Sequence, residues 1–377
     1  MTISSLDNKD INQNVRISMY FIAFYFLVLP LDFFTVLPNI SIVKFTIFIP
    51  LFGCLFHFYN LKVRFNKYTI MLLIYLFVIL ISLLYSYNVS TSYNRALSIG
   101  SNILLILVLS MINYNYKEIQ FFKKSIVYGS WFFLLLIFIF SNTTLNEGRL
   151  TIQIKASTQD PNYLVGYFIF TVIFYLYELL TLKRWINILY LSIFIFVILL
   201  TGSRGGFLSV LISIFCCIFL WIKNKKVKVS SLIFLSIIFV VFCIVIYFII
   251  DYIPDAIISR YHISYTITDG GANRFNIWSS MLYNYKQFPA LNKLFGQGVG
   301  TIRSFTINGS AGHNLWLETL IELGMIGVII ICLLYLIFLI KIYNLKDNVI
   351  IATFIGYIAL TMSLSLCSYK PIWSIFF

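Results

Sequence analysis

Eleven apolar runs, each close to the roughly 20 residues that cross a lipid bilayer as a helix, constrain this chain more than any other feature. The runs are 16–37, 40–60, 69–87, 97–113, 125–141, 163–182, 185–201, 207–222, 231–250, 314–340 and 349–367. Backbone polar groups cannot reach water inside lipid, so each run is expected to form a helix. The composition agrees, because 60% of the residues are hydrophobic and only 11% are charged. We therefore predict an all-α polytopic membrane protein with about 11–12 transmembrane helices.

The last fragment, 371–377, is too short to cross a membrane. It is expected either to lie at the interface or to begin a twelfth span. No cleavable signal peptide is predicted, because the first apolar run is too long and lacks a small-residue cleavage site.

Basic residues in alternate loops predict the orientation. One set of loops carries Lys9, Arg16, Lys62, Arg64, Lys67, Lys117, Lys123, Lys124, Lys183, Arg184, Lys223, Lys225, Lys226, Lys228, Lys341 and Lys346. The positive-inside rule assigns these loops and the N-terminus to the cytoplasm. The same pattern divides the chain into a polar cytoplasmic N-terminus (1–15), nine transmembrane helices (16–250), a large outer loop (251–312) and C-terminal transmembrane helices (313–377).

Two segments of the large outer loop have a readable pattern. Residues 273–288 predict a short amphipathic helix with Asn273 as its N-cap. The glycine-rich segment 294–300 is interpreted as a turn instead of a nucleotide-binding loop, because no strand precedes it.

Arginines are concentrated on the outer side, where the orientation rule predicts few basic residues. Six of the nine arginines lie there: Arg95, Arg149, Arg204, Arg260, Arg274 and Arg303. Arginine suits forked binding of phosphate or carboxylate, whereas lysine acts as a point charge. These arginines indicate an anionic ligand, and the formal charge of +14 does not by itself indicate a nucleic acid.

Arg204 stands between two apolar runs, in Thr-Gly-Ser-Arg-Gly-Gly at 201–206. An arginine near membrane depth is costly unless it faces a cavity or a partner, and the two following glycines allow a close approach. The alternative is an arginine that only ends a helix and extends to the interface.

His313 is the histidine best placed for chemistry, at the start of the tenth run. Ser310 or Asn308 is expected to cap that helix and to leave His313 in its first turn, where the helix dipole favours neutral imidazole. Neutral imidazole can act as a general base; the alternative is an interfacial histidine satisfied by the backbone. Glu318 and Glu322 follow inside the span, where acidic groups are usually paired or functional.

Metal chemistry is not expected, since the sequence has no Asp-x-Asp pair, no His-x-x-x-His pair and no His/Cys cluster. No cofactor is predicted. All six cysteines lie in apolar runs, so no disulfide is predicted.

Four stretches in order resemble the O-antigen ligase and O-antigen polymerase superfamily of bacterial membrane glycan transferases. They are Asp160-Pro161-Asn162; residues 201–206; Asn273-Arg274 with Trp278 and the later Leu294-Phe295-Gly296-x-Gly298; and Gly312-His313-Asn314 with Gly324. Met325 stands where the family usually has a branched aliphatic residue. The resemblance covers most of the chain.

The resemblance implies a helical fold of the C-type glycosyltransferase kind and transfer of a glycan from undecaprenyl diphosphate without metal. It also implies an enzyme in the inner membrane with its active site on the periplasmic face. Carried onto this sequence, Arg204 and Arg274 would bind the diphosphate and His313 would activate or orient the acceptor hydroxyl. Further candidates for substrate binding are Arg95, Arg149, Asp160, Arg303, Asn314 and Glu318.

The acceptor is left open by the resemblance. We favour a polymerase that joins lipid-linked repeat units, together with a possible chain-length regulator; a ligase that moves the glycan to lipid A–core is the alternative. A transporter or flippase of an anionic lipid-linked sugar is the rival from another class. It is less favoured because the charged candidates gather at one face instead of crossing the midplane.

Overall fold

The computed structural model describes residues 14–37, 40–41, 46–56, 66–140, 149–154, 157–158, 160–224, six single positions between 233 and 247, and 252–375. The predicted N-terminal segment 1–13 and most of the predicted span 231–250 lie outside the described residues. So do His57, Lys155 and most of the segment that follows Phe56 in the predicted second span.

The described residues are predominantly helical. In chain order the helices are α1 Ile17–Val28, α2 Phe48–Leu55, α3 Lys67–Ser82, α4 Val89–Ser110, α5 Tyr116–Phe140, α6 Pro161–Gly166, α7 Ile169–Leu182, α8 Ile186–Leu200, α9 Arg204–Asn224, α10 Asp255–Tyr261, α11 Ile263–Thr268, α12 Arg274–Gln287, α13 Ala290–Phe295, α14 Leu315–Leu345, α15 Asn348–Thr361 and α16 Lys370–Ile375. Short 3-10 helices occupy Leu29–Phe33, Ile302–Phe305 and Ile307–Gly309. Two small antiparallel pairs join β1 Thr35–Leu37 to β2 Ile40–Ser41 and β3 Gln153–Ile154 to β4 Ser157–Thr158.

Five of the described helical stretches are long and apolar enough to cross a membrane: 89–110, 116–140, 161–182, 204–223 and 315–345. Four shorter apolar stretches match other predicted runs: 17–32, 67–82, 186–200 and 348–361. The predicted class, an all-α polytopic membrane protein with a large loop of short helices, is confirmed.

The core is built where apolar helix faces meet. The pair α9–α15 packs closely, α7 packs against both of them, and α14 packs against α3. Phe168, Phe194 and Phe354 are fully buried within this single large apolar cluster. In a membrane such contacts stabilise through close packing, because lipid tails already surround apolar groups.

The terminal helix α16, which includes most of fragment 371–377, is buried. Ile372 and Trp373 are 1% and 7% exposed, and α16 packs against α4 and α15. Lys370 at its start forms an ion pair with Asp32. The described part of the fragment therefore packs inside the protein.

Contacts between loops follow the predicted alternation. Arg16 Nε bonds Glu118 Oε1 at 2.6 Å, and Lys123 pairs with Asp347, so loops from the lysine-rich set meet each other. At the other face, Arg204 pairs with Asp269. Which face is cytoplasmic stays a prediction.

The glycine-rich turn predicted at 294–300 packs against a break in α14. Gly324 adopts φ 66° and ψ −165° within α14, and the N–H groups of Gln297 and Gly298 donate to the carbonyls of Ile321 and Glu322 at 3.0 and 2.9 Å. A Cβ on Gly324 would lie 2.3 Å from the Leu294 carbonyl oxygen. Only glycine allows both this backbone conformation and this approach.

Replacing Gly324 with alanine is expected to destabilise the protein by about 2 kcal/mol or more, because the side chain meets backbone and the conformation is nearly glycine-only. The measurement is the apparent melting temperature in detergent. Gly100→Ala is the matched control, since its Cβ would lie 3.5 Å from Leu76 Cδ1 in an ordinary contact. Equal melting temperatures for the two variants would contradict this account of the junction.

Candidate active site

Arg204 is the first residue of α9 and lies directly after the turn of residues 201–203. Gly202 adopts φ 58°, which lets the chain reverse between α8 and α9. The Arg204 fork holds the carboxylate of Asp269, with Nη1 3.3 Å from Oδ1 and Nη2 bonded to Oδ2. The side chains are 19% and 22% exposed, so solvent still reaches the pair. In this structure, the anion that Arg204 binds is thus the carboxylate of Asp269.

Two further arginines surround Gly202. Arg149 Nε donates to the Thr201 carbonyl at 2.9 Å, and Arg260 Nε lies 3.4 Å from the Gly202 carbonyl oxygen. A Cβ on Gly202 would lie 3.3 to 3.4 Å from both side chains. Arg260 is only 8% exposed and was not among the residues assigned to the site from sequence. Its place among the outer arginines was the signal that pointed to it.

Arg274 begins α12, which confirms the predicted amphipathic helix. Asn273 occupies the predicted N-cap position, but it has φ 61° and makes no side-chain cap bond, and its Oδ1 accepts from Asn276 Nδ2 instead. Arg274 Nη1 lies 3.6 Å from the position of a Cβ on Gly205, so the glycine after Arg204 makes room for it. Burial lowers the pKa of Arg274; Asp160 opposes that shift, and Arg204 and Arg260 add to it.

We call Arg149, Arg204, Arg260 and Arg274 the arginine cluster. Asp160 and Asp269 are the carboxylates that interact with its members. Four guanidinium groups facing two carboxylates leave a surplus of positive charge at a partly buried place. Such a surplus favours binding of a multiply charged anion.

His313 lies just before α14, and the expected capping scheme is wrong here. Asn314 is the N-cap, and its Oδ1 accepts from the N–H groups of Trp316 and Leu317 at 3.0 and 3.1 Å. Ser310 and Asn308 therefore do not cap α14, and His313, with φ 50°, lies outside its first turn. The dipole of α14 is therefore not the reason that favours a neutral imidazole at His313.

Burial, not the helix, lowers the pKa of His313; the neighbouring Asp160 opposes the shift and Arg274 adds to it. His313 Nδ1 is buried without a hydrogen bond and lies 3.8 Å from Asp160 Oδ2. The side chains are 25% and 28% exposed. The neutral form of His313 proposed from the sequence is thus favoured for a different reason.

Asp160 is held in place by the start of α6. Its Oδ1 accepts from the backbone N–H of Asn162 at 2.9 Å, an N-cap with Pro161 in the first position of the helix. Asn162 Oδ1 lies 3.5 Å from Arg149 Nη2. The Asp160-Pro161-Asn162 stretch therefore connects His313 with the arginine cluster.

The remaining candidates are Glu318, Asn314, Arg95 and Arg303, and each has different contacts. Glu318 is 1% exposed and bonds Ser365 Oγ, which in turn accepts the backbone N–H of His313 at 3.2 Å. Asn314 acts as a cap and also donates to the Met362 carbonyl at 3.3 Å, so its role here is structural. Arg95 donates to Ser368 Oγ at 2.7 Å and interacts with Glu318, but it lies apart from the arginine cluster.

Arg303 is exposed on the 3-10 helix Ile302–Phe305, and none of the described contacts joins it to the arginine cluster. Trp278 does contribute, since its indole N–H donates to the Gly312 carbonyl at 3.0 Å and ties α12 to the turn that carries His313. Over the described ranges, no group of three or more metal-ligating side chains is found.

A family model matches the part of the chain that carries most of these residues. Residues 189–332 match the family described as O-antigen ligase, Wzy_C; the match contains Arg204, Arg260, Arg274 and His313. A curated relative from Acinetobacter baylyi (strain ATCC 33305 / BD413 / ADP1), "ComP-specific O-oligosaccharyltransferase", is 29% identical over 167 residues. That alignment spans 41% of this chain and 29% of the relative's own length.

A solved chain from a structure titled "Structural coordination of polymerization and crosslinking by a peptidoglycan synthase complex" covers 82% of this chain and 94% of its own length. It has 14% identity and a TM-score of 0.44, a level at which no shared fold is established. The family match and the curated relative support the resemblance drawn from the motifs: over residues 189–332, this multi-pass membrane protein is similar to the O-antigen ligase family.

Proposed function

We propose that this protein transfers a glycan from a lipid-diphosphate carrier, undecaprenyl diphosphate, to a hydroxyl group of an acceptor at the outer face of the inner membrane. The observation that carries the proposal is the arginine cluster beside a half-buried His313 that faces Asp160. A surplus of fixed positive charge is what a departing diphosphate requires when no metal neutralises it.

The reaction is a single displacement at the anomeric carbon. The acceptor oxygen bonds to that carbon as its proton passes to His313, and the bond from the carbon to the diphosphate oxygen breaks. The diphosphate leaves with the electron pair and is held by the arginine cluster, whose attraction grows as the charge develops.

Asp160 faces Nδ1 of His313, which leaves Nε2 to take the proton. The 3.8 Å separation of Nδ1 and Asp160 Oδ2 is longer than a hydrogen bond, and it shortens to one when the acceptor closes the site. Asp160 then stabilises the imidazolium that forms. Arg204 reaches the diphosphate by exchanging the Asp269 carboxylate for a phosphate oxygen pair, a substitution of one forked partner for another.

For the acceptor, a second lipid-linked repeat unit remains our prediction, which makes the protein an O-antigen polymerase working with membrane lipid and a chain-length regulator. The O-antigen ligase family and the oligosaccharyltransferase relative support a ligase-type transfer as the second candidate. The transporter hypothesis has less support, because the four clustered arginines lie at one face and the matched family consists of transferases.

The acceptor is tested by a gel of surface lipopolysaccharide from a deletion strain. Core that carries a single repeat is the expected result for a polymerase. Bare core, with long glycan accumulating on the lipid carrier, would identify a ligase. An unchanged ladder would contradict both assignments for this polysaccharide.

Alanine at Arg204, Arg274 or His313 is expected to lower glycan transfer about 100-fold or more, because each removes charge stabilisation or the base. Arg204→Lys is also expected to lose most of its glycan transfer, since lysine cannot make the forked, two-point contact of a guanidinium group with phosphate. Transfer of labelled lipid-linked glycan in detergent is the measurement, and it also separates an enzyme from a transporter, which needs a sealed vesicle. Arg303→Ala is the matched control on an exposed outer arginine. Normal transfer by all three alanine variants would refute the site.

The acidic limb of the pH profile of kcat/KM is expected below the ordinary histidine value of 6.5, because burial lowers the pKa of His313 and only the neutral form accepts a proton. The Asp160 carboxylate raises this pKa, so Asp160→Asn should move the limb to lower pH by about half a unit or more. Asp255→Asn, an exposed carboxylate of the outer loop, should leave the limb in place. A shift to higher pH in Asp160→Asn would contradict the assignment of His313.

A further inference from the structure

A cavity of about 200 Å³ has a lining that includes no member of the arginine cluster. Its polar lining comes from Asp32, Arg95, Tyr163, Ser365, Ser368 and Tyr369. We call it the Arg95 cavity. It is smaller than the roughly 300–1,000 Å³ of sites for drug-sized ligands, so it suits a single ring with polar substituents.

The charges of the Arg95 cavity are balanced, unlike those of the arginine cluster. Arg95 interacts electrostatically with Glu318 and Glu322 of α14 and bonds Ser368 Oγ at 2.7 Å. Asp32 pairs with Lys370. A multiply charged phosphate therefore gains little here compared with the arginine cluster, whereas a ligand with neutral hydroxyl groups meets donors and acceptors of both kinds.

Tyrosine rings form one wall of the cavity. The centroids of Tyr163 and Tyr369 are 5.5 Å apart, and Tyr167 meets Tyr369 at the same distance, edge to face. Their hydroxyl groups are anchored, since Tyr369 donates to the Tyr163 carbonyl at 2.6 Å and Tyr163 to the Ser365 carbonyl at 3.2 Å. Rigid aromatic surface with polar groups at its edges fits a sugar ring, which has an apolar face and a hydroxyl rim.

One residue joins the cavity to the reacting centre. Ser365 lines the cavity, accepts the His313 backbone N–H at 3.2 Å and donates to Glu318. Tyr163 follows Asp160-Pro161-Asn162 directly in the chain. His313 is therefore linked through Ser365 to a cavity with balanced charge and tyrosine rings, and it interacts with Arg274 of the arginine cluster.

We propose that the Arg95 cavity binds the terminal sugar ring of the acceptor glycan and presents its hydroxyl group to His313. This inference rests on the proposed function. A single displacement requires the acceptor oxygen and the leaving diphosphate on opposite sides of the anomeric carbon, so the two substrates need separate binding residues. The Arg95 cavity and the arginine cluster share no residue, and Ser365 links the cavity to His313.

Filling the cavity tests the proposal. Ser368→Leu should raise the KM for the acceptor about tenfold or more while the KM for the lipid-diphosphate donor stays within about twofold. Ser368→Ala, which only removes the partner of Arg95, should raise the acceptor KM about threefold and guards against misfolding of the larger variant. Ser101→Leu, a half-buried serine of α4 outside the cavity lining, is the matched control with both constants unchanged.

An unchanged acceptor KM in both Ser368 variants would overturn the inference, and so would a rise in the donor KM alone, which would make the cavity part of the diphosphate site. A binding measurement separates this failure from failure of the proposed function. The methyl glycoside of the acceptor's terminal sugar should give saturation-transfer NMR signals with the His313→Ala protein, and Ser368→Leu should remove them.

If the glycoside binds and Ser368→Leu abolishes binding, but the wild-type protein transfers nothing, the sugar site stands and the proposed transfer fails. If transfer depends on Arg204 while neither glycoside binding nor acceptor KM responds to Ser368, the cavity assignment alone is refuted.

Discussion

Mutual repulsion among four arginines is the constraint around which the candidate site of this protein is arranged. Arg149, Arg204, Arg260 and Arg274 come together at a partly buried place, where a guanidinium group without partners is costly. The chain meets that cost locally, with backbone carbonyls of the turn at 201–203 for two of them and the Asp269 carboxylate for Arg204. The compensation is incomplete, and the remaining positive charge is the property that an anionic leaving group can use.

Hydrogen bonds to backbone carbonyls hold the segments that carry these charges in place. The turn at Gly296 and Gly298 bonds to the carbonyls of Ile321 and Glu322, at the break that Gly324 makes in α14. The same helix carries Asn314, which caps its start and leaves His313 outside the helix in a left-handed conformation. Trp278 donates to the carbonyl before His313, so α12, with Arg274 at its start, is tied to the segment that carries the histidine. Two motifs that are distant in sequence thus form one rigid support for the site.

The arginine cluster and the Arg95 cavity differ in their electrostatics. In the cluster, four arginines exceed their carboxylate partners, whereas Arg95 and Lys370 at the cavity each have acidic groups near them. An enzyme that joins a charged donor to a hydroxylated acceptor needs this difference, because it keeps each substrate from occupying the place of the other.

Much of the architecture follows from local physics that can be read along the chain. The apolar runs predict helices because lipid leaves backbone groups no other partners, and α12 follows from its apolar periodicity. The surplus of outer arginines indicated a site for an anion. The motifs also pointed to Arg204, Arg274, Asp160 and His313, and the structure brings all four together.

Contacts between distant residues decided the rest. The sequence did not assign Asp269 and Arg260 to the site. Their place in it depends on the way the loop of residues 252–312 folds back over the turn at Gly202. The capping of α14 by Asn314 instead of Ser310 or Asn308 depends on the left-handed conformation of His313. The Arg95 cavity combines residues from both ends of the chain, Asp32 and Ser368 among them, and no local pattern predicts that they meet. Periodicity and charge act over a few residues and can be read directly, whereas a site is a set of distances that only packing in three dimensions establishes.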